Sequence, residues 1–206
     1  MILLVDHHDS YTYNLVHALA QLGAPLCVRT PEQLADGAEA HIPFSALVLS
    51  PGPGKPEDAH VARRLVHQYR ATTPILGVCL GHQVIAHSLG ATVTGLSQPI
   101  HGHVATIQHN GQGLFAGVPA HFHAMRYHSL HVTSLSDQLC ATAWAGDCVM
   151  AITSPTTPWV CGVQFHPESF ASEQCTPILR NFLAMRAQPT SPPSANHAVA
   201  TLSATY

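Results

Sequence analysis

Cys79 sits in a tight frame, Gly77-Val78-Cys79-Leu80-Gly81, with His166-Pro167-Glu168 far downstream. An apolar stretch, Pro74-Ile75-Leu76-Gly77-Val78, precedes it. A helix-like stretch from His82 to Leu89 follows and is closed by Gly90. Strand, glycine-flanked nucleophile and helix is the layout of a nucleophile elbow. The glycines let the backbone turn sharply and leave room beside the sulfur, and amide dipoles at a helix start stabilise a thiolate. A cysteine nucleophile needs a base, and the base needs an orienter. His166 and Glu168 are two residues apart, so an extended backbone turns both the same way. Glu168 then holds one imidazole nitrogen while the other faces Cys79. Acyl transfer also needs an oxyanion hole. The Leu80 N–H is one natural donor, and Gly52, in the proline-stiffened turn Ser50-Pro51-Gly52-Pro53-Gly54, offers a second. Gly52-Pro53-Gly54-Lys55 lacks the frame of a phosphate loop.

The elements that must position these groups fall into two patterns. The first half alternates strand and helix. Met1 to Asp6, Ala24 to Arg29, Phe44 to Leu49 and Pro74 to Val78 read as strands, the first continuously apolar as a buried parallel strand should be. Asp9 or Ser10 caps a helix running to about Leu22, and Glu57 to Ala71 has helical spacing. From Ala91 the pattern becomes short alternating strands, around Val104–Ile107, His121–Tyr127, Leu139–Trp144, Val149–Thr153 and Val160–Phe165. A last amphipathic helix spans about Cys175 to Arg186. The expected fold is α/β: an open, mostly parallel central sheet flanked by helices, with a small antiparallel flank. The Ser50–Gly54 turn, the Cys79 elbow and the His166 turn all follow strands, so one crevice at the strand carboxyl ends collects them. Residues 1–186 form one domain. Residues 187–206, rich in Pro, Ser, Thr and Ala, read as a disordered tail or linker.

Composition narrows the function. At 206 residues and 46% apolar, the chain supports a sizeable core. Formal net charge is −3 and Lys55 is the only lysine, so no basic stripe points to nucleic acid. No apolar run has the length of a membrane span. Met1–Asp6 is too short and uncharged for a signal peptide, and a cytoplasmic location is expected. The six cysteines form no Cys-x-x-Cys pair; the five besides Cys79 read as small buried hydrophobes. Among 17 histidines, the pairs His101/His103 and His121/His123 each share a strand face, but no further ligands stand at zinc-binding spacing, and no metal site is expected. With so many imidazoles, acidification to about pH 5 turns this acidic protein cationic.

Five segments, in order, carry a resemblance: Asp9-Ser10-Tyr11-Thr12-Tyr13-Asn14-Leu15, Leu49–Gly54, Pro74–Gln83, Arg126-Tyr127-His128-Ser129-Leu130 and Gly162–Ser169. Over residues 1–186 the chain resembles the class I, triad-type glutamine amidotransferases, and within them the glutaminase components of aminodeoxychorismate and anthranilate synthases. The resemblance implies a flavodoxin-like fold. It implies Cys79 as nucleophile, His166 as general base and acid, and Glu168 as its orienter. It implies Gly52 and Leu80 amides as oxyanion hole, and Gly52, Gly54, Gln83, Ser129 and Leu130 as glutamine-binding groups. Ammonia released from L-glutamine would pass to a chorismate-binding synthase subunit, with no cofactor on this chain and Mg²⁺ on that partner. The Gln98–Gly102 stretch and Pro158-Trp159 look more like aminodeoxychorismate synthases, while some relatives serve both pathways. Three positions depart from the family. His7-His8 stand where Asn and an aromatic or aliphatic residue are common, and His103 where Lys or Arg is usual. These bear on partner docking and its pH dependence, or are drift on a solvated surface.

Overall fold

A computed structural model describes residues 1–185. The expected tail, 187–206, lies outside the described residues. In chain order the strands are β1 (Ile2–Val5), β2 (Leu26–Arg29), β3 (Ala46–Leu49), β4 (Ile75–Val78), β5 (Thr92–His109), β6 (His121–Ser134), β7 (Cys140–Ala145), β8 (Cys148–Thr153) and β9 (Val160–Val163). The helices are α1 (Thr12–Gln21), α2 (His60–Tyr69), α3 (Leu80–Ser88) and α4 (Cys175–Met185). The strands form one open sheet in the order β2-β1-β3-β4-β9-β8-β7-β5-β6. Strands β2, β1, β3, β4 and β9 run parallel; β9-β8-β7-β5-β6 are joined antiparallel. This is the expected mixed α/β architecture, with an antiparallel flank larger than anticipated.

Every residue of β1, β3, β4 and β9 is buried, as strands covered on both faces must be. Alternation assigns the faces. Ile2 and Leu4 of β1 join Val48, Leu76 and Val78 under Leu15 and Leu19 of α1 and Ile178, Leu179 and Phe182 of α4. Leu3 and Val5 turn to the other layer, with Leu47, Leu49 and Ile75 under Leu65 and Val66 of α2 and Val84 and Ile85 of α3. At roughly 1.5–3 kcal/mol per buried large aliphatic side chain, these two layers hold the sheet's carboxyl edge in place.

Three expectations are corrected. The helix anticipated from Glu57 opens as a short 3-10 turn, Pro56–Asp58, and α2 begins only at His60, because Ala59 between them has ψ 58°, outside helical space. The short strands around Val104 and His121 are the two arms of a long hairpin, β5 and β6. Its register shifts between Gly95 and Ile100 and between His101 and His103, so bulges absorb Pro99 and Gly102, which look like breakers in the sequence. Of the five cysteines expected in the core, only Cys161 is buried. Cys27, Cys148 and Cys175 are half-buried, and Cys140, at the start of β7, is exposed.

Candidate active site

The backbone at Cys79 adopts φ 52° and ψ −103°, a left-handed conformation that costs a non-glycine residue roughly 1–3 kcal/mol. The surrounding packing imposes it. The Cys79 N–H donates to the Val163 carbonyl of β9 (2.9 Å), and the Cys79 carbonyl accepts from Gln83 N (3.1 Å) inside the first turn of α3. The chain therefore leaves β4 and enters α3 with no spacer. Both flanking glycines are compulsory for this turn. A Cβ on Gly77 would overlap the Gly81 carbonyl and lie 2.6 Å from His82 N; one on Gly81 would lie 2.7 Å from the Leu49 Cβ. Gly162, which pairs with Gly77 across β4 and β9, would meet the His82 Cα at 3.0 Å. The His82 ring is fully buried there, and burial pushes its pKa down to about 4, so it is a neutral packing group.

His166 arrives from the end of β9. Its N–H donates to the Met125 carbonyl of β6 (2.9 Å), and its carbonyl accepts from Ser172 Oγ (2.6 Å). The ring nitrogen Nδ1 is 2.6 Å from Glu168 Oε1, and both residues are buried. The other nitrogen, Nε2, has no oxygen or nitrogen partner and faces the Cys79 sulfur. Burial is the largest single influence on this imidazole and opposes its charge. The Cys79 sulfur and the Glu168 carboxylate on its two sides together outweigh it and push the pKa up to about 10. The arrangement favours an imidazolium held between a carboxylate and a sulfur. Tyr11 and Tyr127 wall the ring, each with its centroid 5.4 Å from that of His166.

A polar cavity of about 110 Å³ opens at the sulfur, lined by Gly52, Gly54, Leu80, Gln83, Ser129 and Leu130 among others. All the residues anticipated from sequence at the glutamine and oxyanion sites thus meet around Cys79. Among the described residues, neither the Gly52 nor the Leu80 N–H donates to another backbone carbonyl. Gly52 approaches this closely because it has no side chain: a Cβ there would overlap His7 and lie 2.9 Å from Leu80 Cδ2. His7 is buried, not at a solvated surface. Its N–H donates to Ser50 Oγ (2.9 Å) and its Nδ1 lies 3.2 Å from the Ser50 carbonyl, so it braces the Gly52 loop from below. His8 and His103 are exposed. A larger cavity, about 360 Å³, lies on the far side of the Pro53–Gly54 turn, lined by His7, Lys55 and Asp58, and Cys79 takes no part in it.

Gln164 has a place that sequence reasoning missed. Fully buried, it donates from Nε2 to the Cys79 sulfur (3.7 Å) and accepts at Oε1 from Gln83 Nε2 (3.0 Å). Gln83 Nε2 also donates to the Leu130 carbonyl (3.2 Å). Gln164 lies in the Gly162–Ser169 segment, yet only the β4–β9 pairing reveals its reach to the sulfur. Among the described residues no three His, Cys, Asp or Glu side chains gather at metal-binding distance, and no helix is long and apolar enough to cross a membrane.

The fold is an open α/β sheet, and at the carboxyl ends of its strands a cysteine, a histidine and a glutamate come together beside a cavity. Residues 3–185 match the family model for class I glutamine amidotransferases, and the chain belongs to that family. It is 42% identical to anthranilate synthase component 2 of Azospirillum brasilense, covering 89% of this chain and 95% of that protein. It is 40% identical to aminodeoxychorismate synthase component 2 of Escherichia coli (strain K12), covering 89% and 99%. A 43% match to aminodeoxychorismate synthase of Streptomyces pristinaespiralis covers 93% of this chain but spans only 27% of that longer protein. Among solved structures, one described as a GMP synthase subunit of Thermoplasma acidophilum superposes with TM-score 0.80 at 25% identity, covering 90% of this chain and 93% of that one.

Proposed function

We propose that this chain is a glutaminase subunit that feeds ammonia to a chorismate-binding synthase. The observation that carries the proposal is the His166–Glu168 pair facing Cys79, whose sulfur opens on a cavity lined by Gly52 and Leu80 with their backbone amides unengaged. The Cys79 thiolate attacks the side-chain amide carbon of L-glutamine, forming a C–S bond. The Gly52 and Leu80 N–H groups receive the developing oxyanion. His166 gives its Nε2 proton to the departing nitrogen, the C–N bond breaks, and ammonia leaves. His166 then takes a proton from water as the water attacks the γ-glutamyl thioester. The C–S bond breaks, glutamate is released, and the thiolate–imidazolium pair is restored. Glu168 fixes the ring orientation throughout and favours its charged form. Gln83, Ser129, Leu130 and Gly54 hold the substrate. We assign no cofactor to this chain, and Mg²⁺ to the partner.

We favour aminodeoxychorismate synthase, which leads to 4-aminobenzoate and folate, as the partner. The Gln98–Gly102 stretch and Pro158-Trp159 support this reading. The second reading, anthranilate synthase and tryptophan, is supported by relatives of that name at nearly equal identity. Reconstitution with each candidate synthase subunit separates the two: 4-amino-4-deoxychorismate marks the first and anthranilate the second. With the productive subunit, Cys79→Ala abolishes glutamine-dependent synthesis and spares ammonia-dependent synthesis. Glutamine-dependent turnover surviving in Cys79→Ala would refute the mechanism.

A further inference from the structure

Arg126 of β6 is buried, with 8% of its surface exposed. A buried guanidinium is costly unless an anion offsets it. Among the described residues, Arg126 makes no ion pair; the carboxylate pairs there belong to other residues. What surrounds it is neutral or basic. Its Nε–H donates to His128 Nε2 (3.1 Å), and the Cys148 thiol lies beside it. Burial pushes His128 down to about 4, so that ring is a neutral acceptor, not a second cation. Its Nδ1 in turn lies 2.8 Å from the Leu130 carbonyl.

Arg126 also lines an open pocket of about 430 Å³ with Pro99, Ile100, His101 and His103. That lining contains no acid and three nitrogen bases. His103 sits directly across from Arg126 in the β5–β6 register. The pocket therefore brings together the buried guanidinium and two imidazoles, with no acid among them. A carboxylate suits this arrangement, because a guanidinium takes it in a two-pronged hydrogen bond. The surroundings favour a carboxylate carried by another protein over a free one. From Thr92 to Gln108, outside its bulges, β5 pairs with β6 on one edge, while pairing with β7 begins only at Gln108. The other edge of this arm thus bears main-chain donors and acceptors with no strand beside it among the described residues. Val104, next to His103, is 40% exposed, an apolar neighbour for an incoming surface.

We propose that the pocket formed by Pro99, Ile100, His101, His103 and Arg126 is a docking site for an Asp or Glu side chain of the chorismate-binding partner. The inference rests on the partner reading above. It adds the chemistry of one contact: a partner acid enters beside β5 and pairs with Arg126 and His103. This gives the exposed β5–β6 arm a task, and it gives the imidazole at position 103 a direct role in assembly.

The test uses the full chain, the variants His103→Glu and Arg126→Gln, and the purified synthase subunit that supports glutamine-dependent synthesis. Binding is followed by calorimetry at low and high salt. Wild-type affinity should fall with salt, and His103→Glu should weaken binding roughly tenfold or more and flatten that salt dependence. Arg126→Gln should weaken binding similarly, with circular dichroism confirming its fold. His103 is exposed and outside the Cys79 cavity, so the glutaminase activity of the free His103→Glu chain should match wild type and show that the fold survives. Wild-type affinity retained in His103→Glu would overturn the docking site while leaving the partner reading intact. Failure of the wild-type chain to bind or supply either synthase subunit would overturn both. Stabilisation of the free chain by millimolar inorganic phosphate, lost in His103→Glu while partner affinity is kept, would make this a small-anion site and also overturn the proposal.

Discussion

Besides the Tyr127 carbonyl, which accepts from its thiol (3.7 Å), the sulfur of Cys79 is faced by two side chains of different kinds. His166 is an ionic neighbour, tuned by Glu168; Gln164 is a neutral donor that also fixes Gln83. Removing the charge of Glu168 tests the first. In Glu168→Gln the imidazolium loses its carboxylate, so the His166 pKa should fall from about 10, as read by NMR titration of the ring. The glutaminase kcat should drop by about 10²–10⁴, the usual worth of a positioned acid–base group. An unchanged His166 titration would show that Glu168 does not support the ring charge. At this scale the sequence was partly legible. Cys79, His166 and Glu168 announce themselves by type and spacing. Gln164 does not, because its neighbour in space lies 85 residues away in the chain. Nor does His7, whose burial depends on how the Gly52 loop folds over it.

The elbow is a property of β4, α3 and β9 together. Three glycines, Gly77, Gly81 and Gly162, make room for strand and helix to meet without a linker. Gly77→Ala should destabilise the protein by about 3 kcal/mol or more, since backbone atoms, not a flexible side-chain end, oppose the new Cβ. Gly95 in β5 is the matched control: a Cβ there meets nothing within 4 Å, and Gly95→Ala should change stability by less than about 0.5 kcal/mol. Urea denaturation of the two variants decides the point, and equal stabilities would remove the steric account of the elbow. The central parallel strands could be read from sequence because β1, β3, β4 and β9 are each short, continuously apolar runs bounded by turns. The β5–β6 arm could not. Its outer residues are polar, and its bulges place Pro99 and Gly102 inside a strand, against the usual reading of such residues as ends.

For the whole molecule, buried histidines set the acid limit. Burial pushes His82 and His128 from 6.5 to about 4 and lowers His7 as well. Between those values the unfolded chain binds protons that the folded chain refuses, so stability falls as pH drops below about 6.5. By pH 4 the first two histidines should each remove on the order of 3 kcal/mol. His166 acts on the alkaline side: its contribution is complete below 6.5 and is lost as pH rises through about 10. Thermal melts should therefore peak near neutrality and decline towards pH 4 and pH 10; a melting temperature rising steadily from pH 7 to pH 4 would contradict this balance. The strand order carries one more consequence. β4 and β9 are neighbours in the sheet but belong to opposite halves of the chain, with β5 to β8 made between them. During synthesis the ribosome releases the cysteine long before the histidine exists. Closing so distant a pair carries a larger loop-closure entropy cost than pairing neighbours in the chain. Until the last parallel strand slots in, the nascent chain carries the Cys79 thiol with no His166 beside it, and the seam between the two halves of the sheet completes the proposed site only once the domain is whole.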